Sequence, residues 1–433
     1  MGRLERGGGL RLGTEMHELI RELYPICRSI TGDGIRRTLA ILSRYLPLSI
    51  EEVPTGTAVL DWTVPREWNI RDAWIADSSG RRIVDFRDSS LHVASYSVPV
   101  NARMSLEQLE PHLHSLPEHP DWVPYRTTYY REDWGFCLSH RQREALEDGE
   151  YEVYIDSSLE AGHLTYGEFV LPGDSDDEIL FSTHVCHPSL CDDNLSAIAV
   201  SVFLARELAA SARRHYGVRF LYAPGTIGSL TWLARNQDRV GRTKHGLTLV
   251  CLGDQHGFTY KRTLAGNAEI DRCVAVALRD AGVSHELIDF FPYGYDERQY
   301  NSPGFRLPVG SLMRGRHGLF PEYHTSADNL EFVHPERLAE ALDICARVVS
   351  VLEGNGTYRN LSPWGEPQLG RRGLYRNMGG TDVPQLEFAL LWVLNLSDGR
   401  HSLLDVAERS GIAFPAVRRA ADLLIDAGLL SDP

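Results

Sequence analysis

The segment Ser182-Thr-His-Val-Cys-His-Pro-Ser-Leu-Cys-Asp-Asp-Asn-Leu-Ser196 sets two histidines and two aspartates into one short stretch. Imidazole and carboxylate together make a donor set suited to Zn²⁺. Asp192 and Asp193 also stand where a helix should begin, and carboxylates there commonly cap free amides. Capping gives no reason for His184 and His187 to share the loop. A catalytic zinc usually takes three protein ligands and keeps one position open, so partners from elsewhere in the chain are expected. Three segments offer them: Asp254 after Leu249-Val-Cys-Leu-Gly, Asp296-Glu297 within 293–300, and His324 within Pro321-Glu-Tyr-His-Thr-Ser-Ala-Asp-Asn329.

The elements around these residues read as alternating strands and helices. Glu178-Ile-Leu-Phe-Ser-Thr183 predicts a buried strand ending at His184, followed by an apolar helix from Ser196 to Ala210. Strands are expected at 218–223 and 247–252, with helices from Ser229, over 267–281 and over 335–353. Such alternation calls for an α/β fold with a mostly parallel, mixed sheet flanked by helices, and for functional groups at the carboxyl ends of strands. Residues 16–24 and 34–45 carry apolar residues at helical spacing. From 57 to 164 short β-like runs alternate with Pro, Gly, Asp and Ser clusters and with dense aromatics, which predicts an inserted β-rich domain. A Gly-, Pro- and Arg-rich linker over 361–378 precedes a helical unit over 379–433 with the rhythm of a winged helix. The expected catalytic domain then comprises 1–56 and 165–358.

Residues 165 to 355 resemble the zinc aminopeptidase superfamily that includes bacterial leucyl aminopeptidases and glutamate carboxypeptidase II. The resemblance rests on a strand ending in His184, on Asp193 three residues before Ser196, on Asp254 after a later strand, and on Tyr323-His324-Thr325 with Asp328 nearby. Over nearly its full length the chain resembles a bacterial aminopeptidase-like group with a β insertion and a C-terminal winged-helix-like domain. His-Val-Cys-His-Pro, Pro-Gly-Thr-Ile-Gly-Ser and Asp-Glu-Arg-Gln-Tyr carry that likeness. It implies metal ligation by His184, Asp193, Asp254 and His324. Two departures stand out. Cys186 occupies the place of an Asp, and Ala223-Pro-Gly-Thr-Ile-Gly228 lacks the family's Glu-Glu pair. One zinc ion rather than two is therefore expected, with His187 as a compensating ligand.

With that pair gone, another carboxylate must act as general base. Glu297 is the first choice and Glu322 the second, against the plainer reading of Asp296-Glu297-Arg298 as a solvated charged turn. Arg298 is a candidate for a substrate carboxylate. Tyr300 and Tyr323 are candidate oxyanion donors, with aromatic packing as the plainer alternative. Cys186 and Cys191 flank the loop without a zinc-ribbon pattern.

A formal net charge of -15 argues against a nucleic-acid partner, and only Arg418 and Arg419 would make the third C-terminal helix basic. Packing or self-association into a homo-oligomer is the expected role of that unit. There is no apolar run long enough to span a bilayer, and the seven dispersed cysteines fit reduced thiols in cytoplasm. The expected function is zinc-dependent hydrolysis of an amide or peptide bond in a small-molecule or short-peptide substrate. The alternatives are a deacylase or amidohydrolase of polysaccharide or secondary-metabolite assembly, and an inactive ligand-binding protein.

Overall fold

The computed structural model describes residues 6–211, 213–374 and 383–431. The first five residues of the glycine-rich start and the linker end at 375–378 lie outside them.

Eight strands form the main sheet in the spatial order 49–54, 163–171, 217–223, 178–184, 243–249, 309–313, 258–261 and 285–288. The four central strands, from Gly217–Ala223 to Val309–Met313, run parallel. The pairings of 163–171 with both its neighbours, and of 258–261 with 309–313, are antiparallel. Every residue of Gly217–Ala223 is buried, as is every residue of Glu178–His184 after the first. That near-continuous apolar character is what a parallel strand covered on both faces requires. Alternate residues serve opposite faces. Ile179, Phe181, Val218 and Phe220 join the core beneath helices Arg6–Leu23, Ala197–Ala209 and Pro335–Gly354, whereas Leu180 and Leu221 pack with Trp232 and Tyr300.

After Glu178–His184 the chain adds Gly217–Ala223 on one side and then Thr243–Leu249 on the other. The strand order reverses there, and an open α/β sheet has its crevice at such a point, beyond the carboxyl ends of the strands. His184 is the last residue of the first of these strands.

Residues 67–160 build a separate antiparallel sheet in the order 82–85, 67–76, 150–160, 100–105, over a core containing Ala73, Ile75, Val84 and Val153. One segment of this module is fastened to the loop carrying His324. Tyr125 N–H donates to His324 O at 2.8 Å, and Ser326 N–H donates to Val123 O at 2.8 Å. Val123 N–H donates in turn to Ser326 Oγ at 2.9 Å.

The C-terminal helices Val383–Leu396, Leu403–Ser410 and Phe414–Asp426 accompany a three-stranded sheet of 357–360, 398–402 and 430–431. Thr357–Asn360, placed ahead of the linker in the sequence reading, thus already pairs with the C-terminal unit. That unit is held on the core by Arg272, which reaches Asp405 at 2.6 Å and Glu408 at 2.5 Å. Phe414 N–H, at the start of the third helix, donates to Asp280 Oδ2 at 2.7 Å. Among the described residues no helix is long and apolar enough to cross a membrane. All seven cysteines are free thiols.

Candidate metal centre

His184 and Asp193 are brought together by the turn between a strand end and a helix start. Within 191–196 Asp193 and Asn194 leave helical geometry, with φ of -103° and -139°. This break turns the Asp193 carboxylate back toward the strand end. Its anchor is Asp328, which accepts the backbone N–H groups of Cys191, Asp192 and Asp193 at 3.1, 2.6 and 3.0 Å. Burial pushes Asp328 up to about 7 against the pull of those amides. Of the eight non-glycine residues with positive φ among the described residues, four (His187, Ser189, Cys251 and His324) lie on loops around this point. Backbone held in that sparsely populated region is a common mark of functional sites.

The Asp193 carboxylate is the hub. His184 Nε2 lies 2.7 Å from Oδ1, and His324 Nε2 and the Tyr295 hydroxyl lie 2.9 and 3.1 Å from Oδ2. His187 Nδ1 stands 4.0 Å from Oδ1. Ligand atoms of His184, His187 and Asp193 all fall within 4.8 Å of one another. Burial alone would raise Asp193, but His187 and His184, with hydrogen bonds from His184 and His324, hold it well below the carboxylate range. Burial pushes His187 down to about 3, with His184, His324 and Arg28 adding to the shift against Asp193. An ionised carboxylate beside a neutral imidazole is the protonation state in which these groups bind a metal. The donor set fits Zn²⁺, with His184, His187, Asp193 and His324 as the residues that would hold it.

Aromatic rings wall the cluster. The Tyr125 ring meets His187 and His324 edge-on, both with centroids at 5.1 Å. Tyr295 stacks on His184 at 4.6 Å and Tyr323 on His324 at 3.9 Å. The Tyr295 and Tyr323 hydroxyls are 2.8 Å apart. Burial raises both tyrosines, so each keeps its proton at neutral pH.

Other expected site residues are placed elsewhere. Asp254 is fully buried, but its Oδ1 accepts from His256 N–H at 2.6 Å and its Oδ2 from Gly315 N–H at 2.9 Å. It faces Asp192, whose carboxyl is raised by burial and by the charges of Asp254 and Asp328. Asp254 is therefore not part of the three-residue group. Nor is Glu297 aimed at it. Glu297 Oε1 is ion-paired at 2.8 Å with the fully buried Lys261, and its Oε2 accepts Tyr295 N–H at 3.1 Å. Both oxygens are engaged, which removes the reason for expecting a free base there. Tyr300 is a core residue, its hydroxyl 2.8 Å from Ser182 Oγ. Arg298 is half-buried with an unpaired Nε. Glu322, the second choice of base, is likewise half-buried, two residues ahead of His324.

The residue beside Glu297 is the better placed one. A methyl group built on Gly225 would lie 3.1 Å from His184 Cβ and 3.8 Å from Asp296 Oδ1, so both side chains flank the same glycine. Gly225 belongs to the segment that lacks the Glu-Glu pair. Asp296 accepts from Ser229 Oγ at 2.9 Å, and burial raises it to about 6 against His184 and that hydrogen bond. Sequence reasoning offered Asp296 with Glu297 as a partner for the metal but chose Glu297 as the base, and it passed over Tyr295 and Tyr125 as site residues. The signal for the two tyrosines was the aromatic density of 122–134 and 293–300. Cys186, which flanks the loop, is raised by burial to about 12 and accepts Gly225 N–H at 3.3 Å. It is a packed thiol.

Comparison with known proteins places this arrangement in a family context. Residues 356–432 match a winged helix-turn-helix model. A Clostridium acetobutylicum protein named "Putative polysaccharide biosynthesis protein with aminopeptidase-like domain" is 51% identical over 419 residues, 96% of each chain. A crystal structure from the same organism, titled a "putative peptidase", matches with a TM-score of 0.94 at 48% identity, covering 98% of this chain and 97% of that one. The zinc aminopeptidase of Bacillus subtilis matches with a TM-score of 0.57 at 12% identity, over 80% of this chain and 95% of its own, which shows a shared fold. Residues 17–355 match the model of a domain of unknown function, DUF4910. The chain belongs to that family, and its sheet and helices have the zinc aminopeptidase fold.

Proposed function

We propose that the chain is a one-zinc hydrolase of an amide bond in a small polar substrate. The observation that carries this reading is the convergence of His184, His187 and His324 on the buried, ionised carboxylate of Asp193. A zinc ion, when bound, supplies Lewis-acid polarisation of a carbonyl and makes a nucleophile available near neutral pH. The chain's own residues supply the rest. Asp296, raised toward neutrality and flanking Gly225 opposite His184, is the group that accepts a proton from the attacking water. The Tyr323 hydroxyl, kept protonated by burial, is a donor for charge developing on the carbonyl oxygen. The strap of residues 123–126 and the Tyr125 ring cover the cluster and limit it to small substrates. Arg298, with a free Nε two residues from Asp296, remains the proposed contact for a polar part of the substrate.

A second reading has specific support. The relative at 51% identity carries polysaccharide biosynthesis in its name, which favours deacylation of an N-acyl sugar over release of an amino-terminal residue. Assaying the zinc-loaded protein against aminoacyl anilides and N-acetylated amino sugars separates the two. Turnover of either that is lost in Asp296→Asn supports the hydrolase. No turnover of both classes by a fully zinc-loaded protein would count against it.

A further inference from the structure

The helix Val383–Leu396 departs from the pattern of a surface helix. Over Gln385–Leu396 its only charged residue is Glu387. Ala389, Leu390, Val393 and Leu394 are buried in the core. The opposite stripe, where a surface helix carries charged side chains, holds Phe388, Leu391, Trp392 and Asn395 at i, i+3, i+4 and i+7. Phe388 is 60% exposed, and Leu391 and Trp392 are half-buried. The hydrolytic reading makes no use of this face.

A second apolar group stands beside it. Trp364 is 96% exposed, more than any other large hydrophobic side chain among the described residues. The segment that carries it is fixed to the end of the helix. Asn360 Nδ2 donates to Leu394 O at 2.9 Å, and Asn360 N–H to Ser397 O at 2.7 Å. The chain neighbours of Trp364, Pro363 and Gly365, line a cavity of about 420 Å³ together with Leu391 and Leu394. Pro363, Gly365 and Asn395 are exposed, so this hollow opens to solvent. A protruding indole and an open hollow thus lie side by side, with Phe388 one helical turn from the hollow wall.

That adjacency points to the occupant. Across a two-fold axis the same patch faces itself, so a group that protrudes from one copy needs a recess in the same patch of the other. Trp364 and the hollow meet that condition. The area is sufficient as well. Buried Trp and Phe side chains contribute roughly 150–250 Å² each. Trp364 and Phe388 from two copies, with the hollows they enter and the exposed Leu361, bring the patch into the range of about 1,200–2,000 Å² that stable interfaces occupy. The uncharged centre lets two chains of net charge -15 meet without burying like charges, and Glu366, Asn395 and Asp398 give the polar rim usual at such interfaces.

We propose that the chain forms a two-fold symmetric dimer through this face, Trp364 of each copy seated in the hollow beside Leu391 and Leu394 of the other. The inference does not rest on the hydrolase reading, and it gives the winged-helix unit a use other than DNA binding.

The test is sedimentation velocity of the full chain over a micromolar concentration series. Wild type should reach twice the 48.6 kDa of one chain. Trp364→Ala, a change at a fully exposed position, should weaken association by about thirtyfold or more, as loss of an interface hot spot does, with circular dichroism and zinc content unchanged. Phe388→Ser should act in the same direction. Asn395→Trp, which fills the mouth of the hollow while leaving Trp364 in place, should also dissociate the dimer; if it does not fold, Trp364→Ala decides. Wild type that stays monomeric, a dimer equally tight in the folded variants, or an open series of larger species overturns the proposal. A chain that dimerises only after deletion of residues 375–382 overturns it too, because that segment is then the occupant.

Discussion

Adjacent carboxylates in Asp296-Glu297 meet opposite fates, and substitution of each has its own expected outcome. Asp296→Asn should lower kcat by about 10²–10⁴-fold with zinc content retained. Because burial raises Asp296 to about 6, the wild-type rate should increase with pH through a limb at or below about pH 6, a nearby cation drawing it lower. The stability sign is opposite. A carboxyl raised above its unfolded value of about 3.9 binds its proton more tightly in the native state, so stability falls as pH rises from about 4 to 6. Chemical denaturation of the metal-free protein at pH 8 should therefore find Asp296→Asn more stable than wild type by about 2–3 kcal/mol, from the size of that shift. A stability advantage of the variant over wild type that is no larger at pH 8 than at pH 4 would contradict it. Glu297→Gln should instead cost about 3–5 kcal/mol, because it strands the buried Lys261. The sequence shows both acids but not which one faces the crevice. Lys261, the partner that decides it, lies on a distant strand. His184 and Asp193 were legible because a buried strand and a buried helix bracket them. Asp254 was not, since its amide partner, Gly315, follows the neighbouring strand Val309–Met313, 61 residues further along the chain.

The strap between 123–126 and 324–326 joins the β-rich module to the cluster through backbone hydrogen bonds and one side chain, Ser326. Ser326→Ala should remove the Val123 N–H partner at a cost of about 1 kcal/mol. Its effect should be local: faster hydrogen exchange at 123–126 and weaker zinc retention, with unchanged exchange in Gly217–Ala223. Uniform acceleration across both segments would show that the strap is not an independent element. No periodicity announces this segment, because it pairs through an isolated bridge and scattered bonds rather than a strand ladder. The long elements were plain from their patterning. The helix expected over 335–353 spans Pro335–Gly354, and the strand expected over 178–183 ends at His184. Phe258–Lys261 and Val309–Met313 escaped, the first for its shortness and terminal lysine, the second for Gly310 within it. That glycine has a packing reason: a methyl group there would come within 2.1 Å of the Tyr260 hydroxyl.

The chain as a whole is a parallel-centred sheet that presents one buried cluster at its switch point, with a β-rich cover and a winged-helix unit docked behind. The third helix of that unit is engaged with the core. Its first amide is held by Asp280, and Arg418 reaches Gly354 O at 3.2 Å and the Tyr358 hydroxyl at 2.8 Å. With a net charge of -15 as well, the chain should show no mobility shift of duplex DNA at physiological salt. A shift there would mean that the unit undocks. The winged-helix rhythm was readable from helix lengths and turn residues, but its use as a packed unit depends on Arg272, Arg279 and Asp280, far away in the chain. The central claim, that three histidines and Asp193 hold one zinc, is tested most directly by metal stoichiometry. Elemental analysis of protein equilibrated with zinc and freed of excess should give one zinc per chain in wild type and almost none in Asp193→Asn. A folded wild type without zinc, or a full zinc complement in folded Asp193→Asn, would contradict it.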